Sequence, residues 1–155
     1  VAQKGHVDAM HELGLLYYYG HGVAQSFKKA AEIYTMATEK GHVGAMNNLA
    51  NMYQDGQGVV QSFKKAVELW TMAIEQGNVN AMYNLGCMYH HGQGVVQSFK
   101  RAAELLTMAA EQGHIEAIAA LGCMWLELSG NAWCGSRVEV GEIQRYSWLS
   151  MVNGK

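Results

Sequence analysis

Apolar residues in this chain keep two rhythms. Within a stretch they fall three or four residues apart, the spacing of one face of an α-helix; between stretches the whole pattern returns after 36 residues. An offset of 36 lays Gly5-His6-Val7-Asp8-Ala9-Met10 on Gly41-His42-Val43-Gly44-Ala45-Met46, then on Gly77-Asn78-Val79-Asn80-Ala81-Met82 and Gly113-His114-Ile115-Glu116-Ala117-Ile118. The second and third copies agree at 25 of 36 positions. Self-similarity at a fixed period of this length marks a solenoid, in which each unit leaves an apolar face that only its neighbour covers.

Each unit holds two helical patterns separated by glycines. The first is predicted from about Val7 to Tyr19, with counterparts starting near Val43, Val79 and Ile115. The second is predicted over Ser26 to Lys40, Ser62 to Gln76 and Ser98 to Gln112. Ser26, Ser62 and Ser98 stand as N-caps, since a hydroxyl accepts a bond from a free amide of the first turn. Gly41, Gly77 and Gly113 follow the second helix, where a residue of positive φ closes the C-terminus.

Comparing the copies divides the first helix into two arcs at about 100° per residue. Positions 9, 10, 13, 14, 16 and 17 keep Ala, Met, Leu, Gly or Ala, Leu or Met, and Tyr through three units, which predicts the packed face. Positions 8, 11, 12, 15, 18 and 19 fill the opposite arc and change from unit to unit, as a recognition surface would.

The fold expected is all-α, a solenoid of helix-turn-helix units at 5–40, 41–76 and 77–112 with a partial unit at 113–130. Residues 1–5 align with 37–41, so the chain is expected to open on the last turn of a second helix within a longer array. Residues 131–155 leave the repeat and read as a divergent tail or cap, with a weakly patterned helix over 139–152.

The spacing Ala81, Leu85-Gly86, Tyr89, Gly92-Gln93-Gly94-Val95, Lys100, Ala102 and Ala109-Ala110-Glu111-Gln112-Gly113 resembles the Sel-1-like repeat (SLR) family, a branch of the tetratricopeptide-type (TPR-like) helical solenoids. The resemblance covers about residues 5 to 128. It departs from the family in Ser for Asp at 26, 62 and 98, and in Met for the usual Lys at 36, 72 and 108. It implies a right-handed α/α superhelix and a role in protein interaction, with the first helices lining a concave groove.

Composition narrows the function. Half of the residues are apolar, 15% are charged, and there is no proline to break a helix. The formal charge is −2 with acids and bases interspersed along the chain, which disfavours nucleic acid as a partner. No apolar run reaches the length of a membrane span. Cys87, Cys123 and Cys134 do not recur in each unit, which favours a reducing, cytoplasmic setting over a lumenal one behind a signal peptide.

Several groups invite chemistry. Gly56-Gln57-Gly58-Val59 and Gly92-Gln93-Gly94-Val95 precede helices, but no strand comes before them and the lysine spacing is wrong for a phosphate loop, so they read as turn glycines. Cys87 with His90 or His91 puts a thiol and an imidazole on one helix face, the arrangement of a zinc ligand pair or of a nucleophile and base. His6, His42 and His114 share a position with Asn78, which points to capping. Nine of ten methionines recur in register and, with Phe27, Phe63 and Phe99, read as core. Lys28, Lys64 and Lys100 lie four residues before Glu32, Glu68 and Glu104, an ion-pair spacing.

The leading reading is a non-enzymatic scaffold or adaptor that binds a protein or peptide, with no cofactor or metal. Its groove candidates are His11, Leu15, Tyr18 and Tyr19; Asn47, Asn51, Gln54 and Asp55; and Tyr83, Cys87, His90 and His91. The rivals are a metal- or thiol-dependent enzyme built on Cys87 with His90 or His91, and a structural spacer within a longer array.

Overall fold

The computed structural model describes residues 2–128, with side chains over 5–127; the divergent tail, its helix over 139–152 and Cys134 lie outside the described residues. Seven helices follow one another: α1 (Ala2–Tyr19), α2 (Phe27–Glu39), α3 (Val43–Asp55), α4 (Phe63–Glu75), α5 (Val79–His91), α6 (Phe99–Glu111) and α7 (Ile115–Leu128). Each packs chiefly on the helix before and the helix after it, so the chain builds an all-α solenoid with no strand among the described residues.

The caps form where the residues call for them. Ser26, Ser62 and Ser98 have extended backbone, and their hydroxyls accept from the amides of Lys29, Lys65 and Arg101 at 3.3 Å. Gly41, Gly77 and Gly113 take φ of 82°, 79° and 84°. The turn they make hands the chain to an imidazole or amide cap. His42 Nδ1 accepts from Ala45 N at 3.0 Å, Asn78 Oδ1 from Ala81 N at 2.8 Å, and His114 Nδ1 from Ala117 N at 3.2 Å.

At Gly5 the expected turn does not form, and α1 runs from Ala2 to Tyr19 without a break. The turn at Gly41 is tied by bonds from Gly41 and His42 back to the carbonyls of Thr38 and Ala37. Gly5 does not take the positive φ of Gly41 and continues the helix instead.

The core follows the arc of repeated residues. Ala45, Met46, Leu49, Ala50 and Met52 of α3, and Ala81, Met82, Leu85 and Met88 of α5, are buried. Bulk is exchanged across each helix pair: Tyr34 lies against Gly14, Trp70 shares its cluster with Ala50, and Leu106 lies against Gly86. A Cβ on Gly14 would stand 2.3 Å from the Tyr34 ring, and one on Gly86 2.9 Å from Leu106 Cγ. In α1, before which no helix packs among the described residues, Leu13 and Leu16 of the same arc are 41% and 40% exposed.

Two core expectations fail. Met36, Met72 and Met108 are 43–45% exposed on the outer side of the second helices, whereas Met46, Met52, Met82, Met88 and Met124 are buried. Recurrence reports a shared place in the unit, and an exposed place recurs as faithfully as a buried one. Phe27 and Phe63 pack into clusters, but Phe99 is 39% exposed. Gly58 explains the contrast: with φ at 70° it brings the next loop so close that a Cβ would meet the Phe27 carbonyl carbon at 2.3 Å. Gly94 does the same over Phe63, and no described loop lies over Phe99.

Candidate functional site

The changing arc of the first helices is for the most part a seam between units. Asn48 Nδ2 donates to His11 Nε2 at 3.1 Å, and Asn84 Nδ2 lies 3.2 Å from Asn47 Oδ1 and 3.0 Å from Asn51 Oδ1. Further along, Tyr18 donates to Gln57 Oε1 at 2.8 Å, Gln54 Nε2 meets Met88 Sδ at 3.9 Å, and His90 Nε2 bonds Glu127 Oε2 at 3.0 Å. Each rung crosses from one repeat to the next. Rings add to it, with His11 stacked on His42 at 4.5 Å and Tyr83 on His114 at 4.8 Å between centroids.

The twelve candidate side chains therefore divide. Asn47 is buried at 7% exposure, and His11, Leu15, Tyr18, Asn51, Gln54, Tyr83, Cys87 and His90 are half-buried. Tyr19, Asp55 and His91 are exposed. These three stand at the same place in successive units, with Glu127 as the fourth member, and so form one row at the C-terminal ends of the first helices.

Electrostatics follows burial. Burial pushes the Tyr34 hydroxyl up to about 12, with Asn48 acting the other way, and raises Tyr18 and Tyr83 above their ordinary values. His42 is held below its ordinary value by burial first and by neighbouring His11 second, against the pull of Asp8, whose carboxylate lies 3.4 Å from Nε2.

The thiol and imidazoles of α5 do not converge. His91 Nδ1 bonds the Cys87 carbonyl at 2.8 Å, and His90 turns away to Glu127. Burial raises the Cys87 thiol, opposed by the Tyr83 hydroxyl, which is the reverse of what a nucleophilic thiolate needs. Among the described residues no three His, Cys, Asp or Glu side chains are grouped to hold a metal ion, and no helix is long and apolar enough to cross a membrane.

One structural set escaped the sequence reading. Gln25, Gln61 and Gln97 send their side-chain amides to the carbonyls of Tyr18, Gln54 and His90 at 2.7–2.8 Å, closing the C-termini of the first helices. Their signal was the unvaried Gln-Ser-Phe at the start of each second helix.

Comparison with known proteins agrees with this architecture. The Sel1 repeat model matches residues 7–42, 43–78 and 79–114. The fold is similar to that of a protective antigen of uropathogenic Escherichia coli that displays an SLR fold (TM-score 0.77, 32% identity, 96% of this chain and 32% of that one). It is also similar to a Sel1 repeat protein of Oxalobacter formigenes (0.77, 26%, 96% and 59%) and an immunity protein of Pseudomonas aeruginosa (0.58, 27%, 81% and 48%). The chain thus spans 32% and 59% of the lengths of the first two. No curated protein sequence matches it significantly. With three consecutive repeats in register, each capped and packed as described, the chain belongs to the Sel1 repeat family.

Proposed function

We propose that the chain is a protein-interaction scaffold, the general role of Sel1 repeat proteins, and that it binds a peptide or protein along the first helices through the row Tyr19, Asp55 and His91. The observation that carries this reading is the division of the changing arc: most of its side chains are occupied by neighbouring units, while this row faces solvent. Tyr19 is 59% exposed, and an exposed tyrosine offers a large rigid contact area at small entropic cost. A row that runs from phenol to carboxylate to imidazole suits a partner with its own order of charges, read one unit at a time.

The test begins with peptides selected from a random display library on the intact array. Changing Tyr19, Asp55 and His91 together to Ala weakens the selected peptides at least about tenfold, the scale of a hot-spot loss, with helical circular dichroism unchanged. Changing Met36, Met72 and Met108 to Ala leaves them bound. Peptides indifferent to the first variant would sink the assignment and favour the spacer reading, which draws on the same seam.

A further inference from the structure

The second helices carry charge at both ends in the sense that opposes their dipoles. Lys28 and Lys29, Lys64 and Lys65, and Lys100 and Arg101 occupy the first turns of α2, α4 and α6, and account for six of the eleven lysines and arginines. Glu39, Glu75 and Glu111 close the last turns. Interspersed along the chain, the cations are gathered by the fold onto the edge where first helices end and second helices begin.

These cations are exposed and unneutralised. The expected pairs of Lys28, Lys64 and Lys100 with Glu32, Glu68 and Glu104 do not close, because every ion pair within 4.0 Å among the described residues involves a histidine. The order Lys before Glu is also the weaker of the two on a helix. Lys29, Lys65 and Arg101 lie over the rings of Tyr17, Tyr53 and Tyr89, at 5.1, 5.0 and 5.4 Å from their centroids. The inner cation of each pair is thereby positioned, and the outer one extends into solvent. On the same edge Val60 and Val96 are 88% exposed in the loops that lead to Ser62 and Ser98.

We infer that this loop edge docks an acidic, extended protein segment, whose carboxylates meet the lysine pairs and whose small apolar side chains cover Val60 and Val96. Charge complementarity identifies the occupant: one unneutralised pair per unit matches carboxylates spaced along a strand-like chain, and the valines add an apolar contact that a free anion would not use. A nucleic acid fits less well, since the tyrosine rings that would stack bases lie under cations. Valine is also a poorer membrane anchor than the Trp, Phe or Leu of interfacial helices. The lysines and valines are different side chains from Tyr19, Asp55 and His91, so variants of the two sets test the two readings independently.

The probe is a fluorescein-labelled peptide of alternating Glu and Val, long enough to cross three units, followed by anisotropy at low and physiological salt. Oligothymidylate and phosphatidylserine vesicles serve as rival probes. The peptide binds the unaltered chain more tightly than either rival and weakens as salt rises. Changing Lys28, Lys64 and Lys100 to Gln weakens it about tenfold, while the unfolding midpoint holds or rises because charge opposed to the dipole is removed. Changing Val60 and Val96 to Asn weakens it without altering the salt dependence. Peptide affinity untouched by the lysine changes, no peptide binding at all, or tighter binding of oligothymidylate or vesicles would overturn the inference.

Discussion

His42 and Asn78 hold the same place in successive units and make the same bond, but only one of them titrates. To accept from Ala45 N, His42 must carry its proton on Nε2, toward Asp8. Protonation of Nδ1 removes the acceptor and places an imidazolium against the stacked ring of His11. The folded-state value is lowered, so this contribution to stability is fully present above the unfolded value of about 6.5 and is lost as pH falls through the folded one. Asp8, Glu12 and His11 on α1 also face this ring and are shared by both forms of the comparison. Changing His42 to Asn is expected to retain the cap and remove about 1 kcal/mol of the stability lost between neutral pH and pH 5, measured by urea unfolding at both values. An unchanged pH dependence would show that the imidazole cap is not the sensitive group. The interchange of His and Asn was legible in the sequence as capping; the stacking partner was not, because His11 comes from a different helix.

Among elements, helix ends were readable and helix faces only partly so. The serines and glycines that bound each second helix act through local bonds, so their residue types suffice to place them. The packed arc was likewise readable, because burial between repeats demands the same sizes each time. The changing arc was ambiguous: variation is expected both of a surface that binds a partner and of a seam whose two sides differ at every junction. Asn84 shows the second cause, since its amide lies between Asn47 and Asn51 of the preceding unit. Changing Asn84 to Ala leaves the buried Asn47 oxygen without this donor and is expected to cost about 1–3 kcal/mol in urea unfolding. A change inside about 0.5 kcal/mol, as for an ordinary surface site, would show that the rung contributes little.

At the scale of the whole molecule, a solenoid has no deep centre: each unit is held by its two neighbours, and function is written on rows that run along the array. Three rows are now distinguishable. The seam of asparagines, histidines and tyrosines joins units; the loop edge gathers cations and bare valines; and Tyr19, Asp55 and His91 form an exposed line at the ends of the first helices. The period of 36 residues was enough to predict the array, but not which rows stay free, since that depends on side chains meeting across units. Binding through the exposed row is checked by photo-crosslinking in cells, with benzoylphenylalanine placed at position 55 in one variant and at position 72 in another. Protein adducts are expected from position 55 and none from position 72. Adducts from position 72 alone, or equally from both, would contradict it.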